Sequence, residues 1–105
     1  MHTVIGTDTY LKEIKKLPKD YQEAADKIPA RIKENPKLGK PLNYPFLRES
    51  RIKERRVYYL VYDDLRLVLL VAVSGKKDQQ STIDHIKEKL REYRKVAEDV
   101  SRQVS

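Results

Sequence analysis

The chain has 105 residues, with 23 Lys plus Arg against 16 Asp plus Glu, a formal charge of +7 and an isoelectric point near 9.6. That length supports one domain with a single modest core, and the positive balance makes polyanions natural partners: an RNA, an acidic protein segment or an anionic surface. The absence of Cys excludes disulfides, thiol nucleophiles and thiolate metal sites, the two His lack carboxylates at ligand spacing, and no apolar run approaches the length of a membrane span.

The opening Met1-His2-Thr3-Val4-Ile5-Gly6 has no basic segment ahead of a long apolar core, so a cytoplasmic protein is the expectation. Thr3-Val4-Ile5 is β-prone, and Thr7 or Asp8 can cap a helix whose apolar positions Leu11, Ile14 and Leu17 recur at helical spacing. Pro18 stops it. Asp20 with Glu23 three residues on resembles a capping box, opening a second helix with Tyr21, Ala24, Ala25, Ile28 and Ile32 on one stripe. Pro29 inside that pattern predicts a kink or break near Ile28. Asn35-Pro36 ends the helical region, and the stretch from Lys37 to Pro45 is a connection within one domain.

From Phe46 the pattern becomes β. Arg48 to Ile52 alternates weakly, Val57 to Tyr62 is rich in strand formers, and Arg66 to Val73 reads as a strand buried on both faces. Asp63-Asp64 marks the turn between the last two, but neither it nor Glu54-Arg55 contains the Gly or Asn that fixes a hairpin register. With Glu54-Arg55 as a two-residue loop, Lys53 faces Arg56 and Arg51 faces Tyr58, so these four share one sheet face while Ile52, Val57 and Tyr59 point toward the helices. Opposed cations repel unless an anion lies between them, which is the physical reason to expect a phosphate site here. Ser74-Gly75-Lys76-Lys77-Asp78 turns the chain into a final helix, predicted over about 79–103, whose apolar positions Ile83, Ile86, Leu90, Tyr93, Ala97, Val100 and Val104 form a narrow seam suited to packing on the sheet.

A short strand, two helices and three sequential strands with a basic entry and exit resemble the RelE/ParE superfamily of toxins from type II toxin-antitoxin systems. The resemblance rests on Lys15-Lys16-Leu17-Pro18, the run from Asn35-Pro36 to Pro41-Leu42, Arg56-Val57-Tyr58-Tyr59 opening a strand and Val73-Ser74-Gly75-Lys76-Lys77 closing the next. Between Arg55 and Ile83 the chain looks most like the archaeal RelE-like branch. The resemblance implies an α+β domain, the RelE-like fold, with an N-terminal strand and two helices, a mostly antiparallel meander and a long C-terminal helix. It also implies a RelB-like antitoxin as partner, the ribosome and its mRNA as target, and no cofactor, metal or membrane. RelE-like members cleave mRNA in the ribosome, whereas ParE-like members inhibit DNA gyrase on the same fold, so a gyrase inhibitor and a toxin-derived binding module without activity stay open as alternatives.

RNA cleavage of this type needs a ribose 2′-hydroxyl to lose its proton, charge on the phosphoryl oxygens to be stabilised and the leaving 5′-oxygen to be protonated. The family's basic cluster maps here onto Arg51 and Lys53, Arg56 on the following strand, and Lys76 or Lys77 beyond the last, with Lys77 in the catalytic set and Lys76 among the RNA contacts. Arg56 is the leading candidate, since a planar guanidinium can grip two phosphate oxygens. Arg48, Tyr58 and Tyr62 are further RNA contacts; the tyrosines serve either as stacking platforms for bases or as packing against a helix. The usual Tyr after the final strand is absent, leaving His85 as the candidate acid or base, with Glu49 and Glu54 as possible bases or as counter-charges that temper local repulsion.

Overall fold

The computed structural model describes residues 2–104, apart from the side chain of Val104, so that seam position lies outside the described side chains. The order is β1 (Thr3–Gly6), α1 (Asp8–Lys15), α2 (Lys19–Asp26), α3 (Ile28–Glu34), β2 (Lys40–Pro41), β3 (Leu47–Ile52), β4 (Arg55–Tyr62), β5 (Leu67–Ser74), α4 (Gln79–Glu88) and α5 (Leu90–Val104). Five strands form one sheet in the order β1-β5-β4-β3-β2, with β1 parallel to β5 and the other pairs antiparallel.

Alternation along β4 divides the molecule into three layers. Val57, Tyr59 and Val61 face one side, where they meet Tyr10, Ile14, Ala25, Ile28 and Ile32 of α1 to α3. Tyr58, Leu60 and Tyr62 face the other, where Leu47, Leu67, Leu69 and Val71 join Ile83 and Ile86 of α4 and Ala97 of α5. The register slips between Tyr58 and Tyr59, which pair with Ala72 and Leu70, so β5 carries one extra residue and both Val71 and Ala72 pack on the α4–α5 side.

Several local expectations hold for the reasons given. Thr7 caps α1, its Oγ1 accepting from the Tyr10 N–H at 3.1 Å. The helical stripe breaks at Lys27, with Pro29 in the first turn of α3, where a missing N–H costs nothing. Two differ. The Asp20 capping box does not form: α2 starts after Pro18 without a side-chain cap, and Asp20 pairs with Lys53 instead. The C-terminal helical region is split at Lys89 into α4 and α5, although no Gly or Pro marks the position. The break lets Ile86 and Ala97, both fully buried, reach the same sheet face from two helices.

Candidate functional site

The hairpin register places the basic run. Ser50, Arg51 and Ile52 pair with Val57, Arg56 and Arg55, so the loop is Lys53-Glu54, one residue earlier than the expected Glu54-Arg55. Lys53 accommodates the tight turn with a left-handed φ of 57°. This corrects the expected pairing: Arg51 faces Arg56, Glu49 faces Tyr58, and Lys53 leaves the strand altogether. Its ammonium pairs with Asp20 of α2 and lies 5.4 Å from the centre of the Tyr21 ring, on the α1–α3 side of the sheet. The pairing raises the Lys53 pKa and lowers that of Asp20, in each case chiefly through the side-chain hydrogen bond.

Alternation then puts Glu49, Arg51, Arg56 and Tyr58 on the face toward α4 and α5. Arg56 is 6% exposed and Glu49 8%, with Arg56 Nε 3.6 Å from Glu49 Oε2. That separation is too long for a hydrogen bond, and Arg56 Nε is left buried with no hydrogen-bond partner. Gln79, in the first turn of α4, donates from Nε2 to the same Glu49 oxygen at 3.2 Å. The Tyr58 hydroxyl bonds Ser74 Oγ at 2.8 Å; since Ser74 Oγ donates in turn to the Gly75 carbonyl, Tyr58 is the donor. Burial raises the Tyr58 pKa, the nearby Glu49 charge adding to it while Ser74 and Arg56 oppose it.

Around this buried group the surface is basic. Lys76 and Lys77 are exposed in the turn after β5, and Arg55 Nη1 lies 3.4 Å from where a side chain on Gly75 would begin. A depression of about 290 Å³ at the β2–β3 edge is lined by Leu38, Gly39, Lys40, Glu49, Ser50 and Arg51. Arg51 and Arg56 thus come together as expected, with the lysine turn beside the Arg56–Ser74 pair.

Other candidates lie elsewhere. Arg48 is bound to its own chain, Nε donating to the Pro45 carbonyl at 3.0 Å and Nη1 to those of Gly39 at 2.7 Å and Lys37 at 3.1 Å, which fastens the loop before β3. The rings of Tyr58 and Tyr62 are buried beneath α4 and α5, and the Arg94 guanidinium of α5 stands 5.4 Å from the Tyr62 ring centre. His85 is exposed on α4 and lines a separate groove of about 710 Å³ beside β1 and the start of α1, to which none of Arg51, Arg56, Lys76 and Lys77 contributes. Glu54 is exposed in the hairpin loop. Sequence reasoning missed the Gln79 contact and Arg55, and gave Glu49 a secondary place; the alternation of Leu47, Glu49 and Arg51 was the available signal, once the register was known. Among the described residues no cluster of His, Asp and Glu is arranged to hold a metal, and no helix is long and apolar enough to cross a membrane.

A three-layer domain whose antiparallel meander ends in arginines and a basic turn defines the RelE-like α+β fold, and solved toxin structures share it. Free E. coli RelE, as a double mutant, superposes with a TM-score of 0.70 at 20% identity, covering 83% of this chain and 96% of that one. The intact E. coli RelBE toxin-antitoxin complex gives 0.64 at 22% identity over 71% of this chain and 96% of that one, and the RelBE2 complex of Mycobacterium tuberculosis 0.63 at 24% over 71% and 98%. No protein-family model and no curated protein sequence matches the chain. The chain has the RelE toxin fold.

Proposed function

We propose that this chain is the toxin of a type II toxin-antitoxin pair, an endoribonuclease that cuts mRNA on the ribosome in the cytoplasm and is silenced by a RelB-like antitoxin. The observation that carries the reading is Arg56: an arginine buried in the sheet of a RelE fold, its Nε proton uncommitted, opposite Arg51. A largely desolvated guanidinium without its full set of acceptors is a strong partner for phosphoryl oxygens that reach it, because its charge is little screened. Arg51 adds a second cation at the same register, and Lys77 and Lys76 guide the strand from the turn after β5, beside the Arg56–Ser74 pair. Lys53, held by Asp20, serves the hairpin. The basic rim also offers an acidic antitoxin segment its complement.

The test is cleavage of a defined mRNA on programmed ribosomes by the wild-type protein and by Arg56→Ala. Loss of a transition-state guanidinium contact predicts a fall of about 100-fold or more in cleavage rate. Equal cutting by the two proteins refutes the assignment, and intact mRNA together with inhibited supercoiling would move the chain to the gyrase-inhibitor reading.

A further inference from the structure

We propose that the loop between β2 and β3 is a base-stacking site, in which the exposed face of Tyr44 takes a nucleobase of single-stranded RNA whose backbone runs past Lys40 to Arg51. The proposal rests on the ribonuclease reading above for the nature of the ligand, and it names a place where the strand is gripped away from the cut. Tyr58 and Tyr62, the stacking candidates of the sequence, are buried. Of the seven tyrosines only Tyr44 is exposed, at 37%. A single exposed aromatic calls for no explanation; this one is set apart by its stacking, its rigidity and its surroundings.

The ring is half of a parallel stack. Tyr44 and Phe46 lie with centroids 5.0 Å apart and planes 12° from parallel, and Phe46 is partly buried against the layer under α4 and α5. The stack is thus anchored at its inner ring and open at its outer one, a platform that a base extends by one more layer. The loop that carries it is fixed in advance. Arg48 donates to the carbonyls of Pro45, Gly39 and Lys37, and backbone N–H groups of Leu42, Leu47 and Val61 donate to the carbonyls of Leu47 at 2.8 Å, Tyr44 at 3.2 Å and Phe46 at 2.8 Å. A ring held this way loses little freedom when a ligand arrives.

The surroundings are basic. Between residues 37 and 48 the chain has Lys37, Lys40 and Arg48 and no carboxylate. Lys37 and Phe46 line one hollow of about 150 Å³, and the Asp63 that also lines it is hydrogen-bonded to His2 at 3.0 Å. Lys40 and Arg51 line the depression at the β2–β3 edge, so cations lead from the aromatic loop to the arginines. From Leu47, where the loop joins β3, to Arg51 the strand covers ~13 Å. RNA crosses that span in about four nucleotides at a stacked rise of ~3.4 Å, and in fewer when drawn out. The cations select a polyanion and the aromatic face selects one with unpaired bases, which together describe single-stranded RNA.

The test uses the full chain without ribosomes and a short RNA carrying 2-aminopurine, whose fluorescence is quenched by stacking, at each position in turn. Wild type should quench one position most strongly. Tyr44→Leu, which keeps apolar bulk without a π-face, should lose that quenching and bind roughly 5- to 100-fold more weakly, and Tyr44→Phe should keep both. An abasic residue at the quenched position should cost wild type the same factor and Tyr44→Leu nothing further. Tyr44→Leu should also keep the salt dependence of wild type, whereas Lys40→Gln should lower its slope by about 0.7. Equal affinity of wild type and Tyr44→Leu overturns the proposal and leaves the loop to a protein contact. A loss that is shared by Tyr44→Phe, or a wild type that does not bind the RNA at low salt, overturns it as well. Tyr44-dependent binding by a wild type that cuts no ribosomal mRNA refutes the ribonuclease reading while the stacking site stands; an mRNA-cutting wild type whose Tyr44→Leu binds RNA equally well refutes the stack alone.

Discussion

Replacing Arg56 alone by Met should cost far more stability than replacing Arg56 and Glu49 together by Met and Leu. Both side chains of the pair are under a tenth exposed, 7% for Arg56 and 9% for Glu49, so solvent screening is slight. Arg56→Met strands the Glu49 carboxylate among Leu47, Tyr58 and Leu60 on that face, with only the Gln79 amide for company. Breaking a buried pair from one side costs roughly 3–5 kcal/mol, a large part of the ~5–15 kcal/mol that holds a domain of this size. With a urea dependence of ~1–3 kcal/mol per molar, the midpoint should drop by about 1–5 M. The double replacement removes both charges and adds apolar volume to a layer already rich in Leu, so it should lie within about 1 kcal/mol of wild type or above it. Urea unfolding of the four proteins in a double-mutant cycle, followed by circular dichroism, gives the coupling directly. If the single and double variants are equally destabilised, or Arg56→Met costs nothing, the pair is not the buried electrostatic unit described. The double variant should fold well and cut no mRNA, separating what the pair does for function from what it does for the fold.

At Gly39 a Cβ would stand 2.5 Å from the Glu49 carbonyl oxygen and 2.5 Å from the Tyr59 hydroxyl, which accepts the Gly39 N–H at 2.8 Å and donates to Pro36 O at 3.1 Å. Gly39→Ala should therefore destabilise by ~1–3 kcal/mol, seen as a lower Tm, and an unchanged Tm would mean the loop yields without strain. Burial, aided at Tyr10 by the Asp26 charge, pushes the Tyr10 and Tyr62 phenols up to about 12, against 10.0 ordinarily. The folded state keeps protons that the unfolded chain releases, so this stabilisation is complete below pH 10 and is lost as pH rises toward 12. Phenolate absorbance should then rise together with loss of circular dichroism, whereas full titration near pH 10 with the fold intact would contradict the packing. At the acid end, the Arg94 hydrogen bonds hold the Asp64 pKa below its usual 3.8, so the tether from α5 to the turn before β5 is intact above that pH and weakens below it. Protection factors of the α5 amides, taken against the unstructured exchange rate at the same pH, should fall on acidification in wild type, and Arg94→Ala should already show low protection at neutral pH.

The layers were legible because binary patterning survives any uncertainty about turns. The apolar stripe of α1 to α3, the uninterrupted strand formers of β5 and the seam of α4 and α5 each specify a buried face without knowledge of their neighbours. Register was the weak link. No Gly or Asn marks the β3–β4 loop, and a left-handed Lys53 is a conformation the sequence does not advertise. A displacement of one residue in the loop kept Arg51 and Arg56 on one face but changed what stands opposite each, bringing Arg51 to Arg56 and Glu49 to Tyr58. Of the two roles open to Tyr58, stacking platform or packing against a helix, the structure takes the second, because α4 and α5 close over that face. Gln79 was invisible for the same cause, since its partner is 30 residues away on β3.

Two arginines facing each other across adjacent strands are a liability that a protein selected for stability alone would lose. Here the two are handled differently. Arg51 stays in water, where solvent screens it, while Arg56 is buried with Glu49, itself held by Gln79 of α4, as counter-charge. The result is one cation that attracts polyanions from a distance and one that meets them only after they have shed water. Their separation in burial, more than the total charge of the chain, distinguishes a site that can stabilise a phosphoryl transition state from a merely basic surface. A salt series would tell the two apart. Binding of an RNA oligonucleotide should weaken steeply with added salt through Arg51, Lys76 and Lys77, and Arg51→Gln should flatten that slope. Arg56→Met, by contrast, should leave the slope nearly unchanged while abolishing cleavage; an equal flattening by both substitutions would show that burial has given Arg56 no separate role.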